Sequence, residues 1–319
     1  MDIQKFADEI ISGKEPGRGE DLSFFEKTDL ETLCFQADRI REAFCGKTVE
    51  LCSIINGRSG RCSEDCKFCA QSSFHSADIN TYEFLDRERI VEDCRMHAEK
   101  GVHRYSIVTA GRGLEGADLR KACETYREIK SKFSIKLCAS HGLLTEEALA
   151  ALKDSGVERY HANIETSENN FPNICTTHCF GDKVSMIKRA HEAGMSVCSG
   201  GIIGMGETFQ DRIDMARILS ELHVESIPIN VLIPIKGTVY ENLPALSEDE
   251  IRRTVAMFRF LNPRASIRLA AGRILMKNSG AEVFKSGANG AITGDMLTTS
   301  GNSILEDKAM LAGMGFTLE

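Results

Sequence analysis

The sequence contains no tryptophan, no run of eighteen apolar residues and no conspicuous cluster of lysine and arginine. The missing apolar run excludes a transmembrane helix. The missing basic patch, with a formal net charge of −8, argues against nucleic acid and anionic membrane as partners. The absence of tryptophan carries no reading of its own. No secretion signal is present: the opening residues MDIQKFADEI read as an amphipathic helix, so the chain is expected in the cytoplasm. Twelve cysteines in that setting point to reduced thiols and metal ligation rather than disulfides. Internal repeats, low-complexity segments and an interdomain linker are also missing, which leaves one domain.

Its organisation follows from hydrophobic periodicity. Residues 1–48 read as a helical cap broken at Pro16-Gly17, with Leu30, Leu33, Cys34, Ala37, Ile40 and Phe44 at helical spacing. From 49 to 319, strand-like runs at 49–55, 103–109, 135–139, 158–164, 195–199, 226–232, 266–270 and 289–293 alternate with helical stretches. Asp86 precedes one helix, and Ser247 with Glu250 forms a capping box ahead of another. Alternation of this kind means a parallel sheet, and eight strands close a (β/α)8 TIM-type barrel. An open doubly wound sheet would need G-x-G-x-x-G after the first strand, and that loop carries cysteines instead.

The loop reads NGRSGRCSEDCKFCAQ, residues 56–71, with Cys62, Cys66 and Cys69 spaced C-x3-C-x2-C and Phe68 before the third. Four thiolates would close a zinc site or satisfy every iron of a cubane. Three leave one iron of a four-iron cluster open to a small molecule. The alternative is a structural zinc loop with a fourth ligand elsewhere, although paired C-x2-C or a distant His pair is missing. In a barrel, catalytic groups gather at the C-terminal ends of the strands. Inward positions there include Cys138, Cys198, Asn230 and Arg268, with His161, Asn163 and Glu165 sharing one face of strand four. Cys175 and Cys179 follow in NICTTHCF. With Cys138 and Cys198 they make four thiolates suited to a second iron–sulfur cluster. Cys34, Cys45, Cys52, Cys94 and Cys123 read as core.

The triad with its aromatic resembles the radical S-adenosylmethionine (SAM) enzymes. RCSEDCKFCAQSS, HANIETS, VCSGGIIGMGET, PINVL with KGT, RLAAGR and the GAN…LTT ending resemble the biotin synthases from Leu51 onward. That resemblance implies a 4Fe–4S cluster on the triad, SAM on its open iron, and a sacrificial auxiliary cluster. It implies sulfur insertion between C6 and C9 of dethiobiotin, a flavodoxin or ferredoxin-type electron donor, and a homodimer. The common form holds a 2Fe–2S auxiliary cluster on three cysteines and an arginine. Cys138, Cys198 and Arg268 match three of those positions, and Ser106 stands at the fourth. Ligation is therefore expected to have moved from Ser106 to Cys175 and Cys179, favouring a four-iron auxiliary cluster. Arg268 would then act beside the cluster.

For SAM, the resemblance points to Phe68, Ala110, Asn163, Glu165, Gly200 and Gly201, with Glu165 where the family more often has Asp. For dethiobiotin it points to Asn230 at the ureido ring and Thr298 or Thr299 at the carboxylate. His161, aligned with a family Asn, is either a core histidine or a helper. Related barrels of the hydrogenase-maturase or methylornithine-synthase kind share the triad and the strand-five glycines. A zinc-stabilised binding protein without catalysis would be colourless and free of iron.

Overall fold

The computed structural model describes residues 2–15, 21–299 and 301–318, so the Pro16-Gly17 break lies outside the described residues. The chain begins with α1 (Ile3–Ile11), α2 (Phe24–Lys27) and α3 (Leu30–Cys45). Asp2 caps α1 by accepting from Gln4 N and Lys5 N, and Asp29 caps α3 through Thr32 N. Then come β1 (Thr48–Arg58), α4 (Arg87–Glu99), β2 (Arg104–Thr109), α5 (Gly116–Lys132), β3 (Lys136–Ser140) and α6 (Glu146–Asp154). β4 (Arg159–His161) leads through α7 (Phe171–Ile174) and α8 (Phe180–Glu192) to β5 (Ser196–Cys198) and β6 (Gly201–Ile203). The remainder is α9 (Phe209–Glu221), β7 (Ser226–Val231), α10 (Glu248–Leu261), β8 (Ser266–Leu269), α11 (Ala281–Phe284), β9 (Gly290–Ile292), α12 (Ile304–Gly313) and β10 (Thr317–Leu318).

All pairings among these strands are parallel, and β9 returns to β1 through Leu51↔Ala291, which closes the barrel. Each of the eight expected runs becomes a stave. The fifth is broken into β5 and β6 at Ser199-Gly200, and only Cys198↔Ser226 joins β5 to β7 before β6 resumes with Gly201↔Ile229. Neighbouring backbone packs closely against the break. A Cβ on Gly200 would lie 1.9 Å from Pro228 O, and one on Gly201 would lie 2.4 Å from Glu165 O. Both glycines are therefore required by strand packing. A tenth strand, unforeseen in the sequence, extends β1 outward through Thr48↔Thr317.

The N-terminal helices pack on α10, whose own capping box forms through Glu250 N to Ser247 Oγ at 3.3 Å. Phe6 stacks on Phe260 at 5.8 Å between ring centroids, with Phe25 edge-on to the same ring at 5.3 Å. Phe258 and Phe260 on α10 are buried because cap and barrel cover opposite sides of that helix. The two parts share one continuous apolar core.

Candidate active site

Period-two alternation decides which side chains enter the barrel. Cys52 and Ile54 on β1, Arg104, Ser106 and Val108 on β2, and Cys138 and Ser140 on β3 line one cavity of about 390 Å3. Arg159, His161, Asn163 and Glu165 continue the pattern along and beyond β4, as do Pro228 and Asn230 on β7. The volume lies within the range of small-molecule sites.

At the mouth, the loop after β1 places Cys62, Cys66, Phe68 and Cys69 on the cavity wall. Backbone bonds hold the loop: Cys69 N donates to Cys66 O at 2.9 Å, and Cys62 N to Gln71 O at 3.0 Å. Gln71 Oε1 also accepts from Gly60 N at 3.2 Å and from Asn56 Nδ2 at 3.3 Å. Burial pushes the Cys69 thiol up to about 11. Ala110, Thr298 and Thr299 line the same cavity.

Glu165 is held in the left-handed region, φ 69°, unusual for a residue with a side chain. Asn163 Nδ2 donates to Glu165 at 3.3 Å, and Asn163 Oδ1 accepts from Gly200 N at 3.0 Å. Burial pushes the Glu165 carboxyl above its usual range, against the opposing charges of Lys183 and His161. Asn230 is partly occupied: Nδ2 donates to Gly201 O at 3.1 Å, and Oδ1 accepts from Ala271 N at 3.2 Å. One N–H and one lone pair remain.

Deeper in the barrel, three buried thiols share the cavity with three guanidiniums: Cys52, Cys138 and Cys198 with Arg104, Arg159 and Arg268. Glu50 ties the cations together. It accepts from Arg104 Nε at 3.1 Å, from Arg159 Nη1 at 3.1 Å and from Arg268 Nη2. Burial favours neutral Glu50, but the three cations outweigh it and hold the carboxyl well below the usual range. Burial and neighbouring sulfur push Cys52 and Cys138 up. Cys198 is pushed down despite its burial, because His161, Arg268 and Arg159 favour the thiolate.

Glu50→Gln is expected to lower stability by about 3–5 kcal/mol at neutral pH, because three buried cations lose their anion. Since the folded carboxyl titrates below its unfolded counterpart, this stabilisation is present above the ordinary glutamate range and fades as pH falls. Thermal melts of both proteins from pH 7 to pH 4 check this: the gap should be widest at pH 7.

Cys175 and Cys179 are not in this cavity, so the expected four-thiol set of Cys138, Cys175, Cys179 and Cys198 is corrected. The segment after β4 docks on the triad loop instead. Asp65 accepts from Thr176 N at 2.8 Å and Thr177 N at 3.2 Å, and Lys67 N donates to Ile174 O at 2.9 Å. Cys175 Sγ consequently lies 3.7 Å from Cys66 Sγ, beside His178 at 3.3 Å. Hydrogen bonding from the Cys66 thiol pulls Cys175 down to about 6. Cys175 ends α7 and Cys179 begins α8, so the two share no helical face; Cys179 is exposed. Cys52, read as core, is buried as expected and also lines this cavity, which the sequence reading did not foresee. Its parity with Ile54 on β1 was the available signal.

The residues fit two iron–sulfur centres. One set is three mouth thiols on a tight loop. The other is three buried, unpaired thiols whose crowding and cations suit an anionic cluster.

Residues 58–219 match the radical SAM superfamily, and residues 228–317 match the biotin and thiamin synthesis associated domain. The chain is 64% identical to a biotin synthase of Alkaliphilus metalliredigens over 100% of both chains. This chain belongs to the biotin synthase family. A biotin synthase of Clostridium beijerinckii is 57% identical over 99% of this chain and 100% of its own length. Among solved structures, a methylornithine synthase superposes with TM-score 0.85 at 19% identity, covering 98% of this chain and 97% of its own. The hydrogenase maturase HydG of Carboxydothermus hydrogenoformans gives 0.82 at 18% identity, over 99% of this chain and 79% of its own. At those identities the two share the barrel alone. Membership brings a 4Fe–4S cluster, SAM and an auxiliary iron–sulfur cluster.

Proposed function

We propose that the chain is a biotin synthase in which the auxiliary cluster is held by Cys52, Cys138 and Cys198. The observation that carries this reading is one cavity with three thiols at its mouth and three more, ringed by arginines, within it. When bound, the first cluster supplies the electron that cleaves SAM to methionine and a 5′-deoxyadenosyl radical, and the second supplies the sulfur placed between C6 and C9 of dethiobiotin.

Cys62, Cys66 and Cys69 hold the first cluster. Asn163 and Glu165 hold the ribose hydroxyls of SAM, and Phe68 and Ala110 pack at its adenosyl group. Asn230 meets the ureido ring with its remaining donor and acceptor, and Thr298 and Thr299 meet the carboxylate. Ile202, Val231, Leu232, Ile233, Ile235 and Leu297 wall the cavity for the alkyl chain and keep water from the reacting carbons. Arg268 stays protonated beside the sulfurs, its Nη2 engaged by Glu50 and its Nη1 donating to Ala291 O at 3.3 Å. That engagement supports a neighbouring cation rather than an iron ligand.

Three thiolates with Arg268 withdrawn favour a four-iron auxiliary cluster. Iron analysis should then give about eight irons per chain rather than about six. Electrons come from a flavodoxin or ferredoxin-type donor, and the chain works as a cytoplasmic homodimer. Among the described residues no helix is long and apolar enough to cross a membrane.

Anaerobic incubation of the iron-loaded protein with SAM, dethiobiotin and reductant tests the function. Biotin is the expected product; unchanged dethiobiotin alongside abundant 5′-deoxyadenosine would contradict it. Glu165→Ala is expected to weaken SAM binding by about 1–3 kcal/mol, the scale of a lost charge-assisted hydrogen bond. Equilibrium binding of SAM and dethiobiotin checks the assignment. A loss confined to dethiobiotin would transfer Glu165 to the other ligand.

A further inference from the structure

We propose that Asn56 is a positioning residue for the substrate: its side-chain amide joins the triad loop to the C-terminal segment that meets dethiobiotin, and so sets how the substrate lies against SAM. The proposal rests on the reading that Thr298 and Thr299 meet the dethiobiotin carboxylate.

Asn56 lies near the end of β1 and is buried. Its Nδ2 donates to Leu297 O at 3.1 Å and to Gln71 Oε1 at 3.3 Å, which uses both amide hydrogens. Gln71 Oε1 also takes Gly60 N at 3.2 Å. A backbone carbonyl can only accept and a backbone N–H only donate, so these contacts fix which way round both amides lie. Tyr82 OH pins the Asn56 backbone by donating to its carbonyl at 2.8 Å. Asn56 Oδ1 is buried without a hydrogen-bond partner among the described residues. An unpaired buried acceptor destabilises a fold, so stability alone does not account for this amide.

The C-terminal segment is held at its base by other groups. Thr293 N donates to Cys52 O at 2.8 Å, Gly294 N to Asn302 O at 2.8 Å, and Met296 N to Thr299 O at 2.9 Å. Asn302 Nδ2 donates to Asp307 Oδ1 at 3.3 Å, and buried Arg273 grips that carboxylate at 2.7 and 2.9 Å. Asn56 holds the tip, at Leu297. Cys69 and Gln71 line one side of the cavity entrance, and Met296, Leu297, Thr298 and Thr299 line it too. The Asn56 amide therefore spans the two pieces of wall between which SAM and dethiobiotin meet. A displacement of about 1 Å between reacting groups can cost about a hundredfold in rate, so a fixed spacing here has a direct effect on turnover.

The test uses reconstituted holoenzyme carrying Asn56→Leu, which keeps the volume, or Asn56→Ala, which does not. Both should retain the full iron content and SAM affinity, bind dethiobiotin about tenfold more weakly, and release more 5′-deoxyadenosine per biotin formed. Unchanged dethiobiotin affinity or an unchanged product ratio in the two variants overturns the proposal. So does an effect confined to Asn56→Ala, which would mark packing, and so does loss of iron or of SAM affinity, which would make Asn56 a support of the triad loop alone. A Thr298→Ala/Thr299→Ala double variant separates the two readings. If it binds dethiobiotin as the unsubstituted protein does, the carboxylate reading falls and takes the proposal with it. If it binds weakly while both Asn56 variants bind normally, the proposal alone falls.

Discussion

Replacing Cys62, Cys66 or Cys69 with alanine is expected to reduce 5′-deoxyadenosine formation to background. Each supplies one thiolate on the cavity wall, and Cys175, 3.7 Å from Cys66, does not line that cavity. Two remaining thiolates cannot hold a cubane that keeps a vacant iron for SAM. The effect should be equal across the three variants, because the ligands act as a unit. Folding should survive, since the loop lies at the barrel mouth and the apolar core is formed elsewhere. Far-ultraviolet circular dichroism and product chromatography check both halves. Cleavage of SAM at the unsubstituted rate by any one variant would remove that cysteine from the cluster.

Cys52→Ala should have nearly as large an effect, on a different step. It should lose the auxiliary iron and all biotin formation, yet continue to cleave SAM. The reasoning is positional: Cys52 is buried in the cavity and interacts electrostatically with Cys138, Cys198 and Arg268. Ser106 lines the same wall, but a hydroxyl is a poor ligand for iron beside three thiols. Ser106→Ala should therefore keep both clusters, and Cys179→Ala, at an exposed site, should do the same. Iron and sulfide analysis of the three variants decides between strand one and strand two as the source of the third thiolate. Full auxiliary iron in Cys52→Ala, or its loss in Ser106→Ala, would reverse the assignment.

The barrel was legible because strand and helix periods differ and the caps are local. The eight runs became eight staves, and the Ser247–Glu250 box formed as read. The triad stood out by its spacing, and its three thiols do line one cavity. Other features depend on pieces of chain that meet only in three dimensions. The need for glycine at 200 comes from the close approach of Pro228, twenty-eight residues on. Cys175 and Cys179 stand four apart, which suggests one helical face, but a helix end falls between them. Asp65 then draws Cys175 to the triad, 110 residues earlier in the chain. Cys52 was passed over because a buried cysteine is ordinarily core. Only the closed barrel shows that the interior of β1 faces Cys138 and Cys198. Arg268 was named, but Glu50, Arg104 and Arg159 and the ion-pair network that joins them to it were missed for the same reason, since their strands meet only around the ring.

The most direct test is the origin of the sulfur. Protein reconstituted anaerobically with sulfide labelled as sulfur-34, then freed of excess, should be allowed a single turnover with SAM and dethiobiotin. The expected biotin is about two mass units heavier than the natural product, and the auxiliary cluster's spectrum should fade as it forms. Unlabelled biotin from protein whose clusters still carry the label would contradict the assignment of the buried thiols to the sulfur donor.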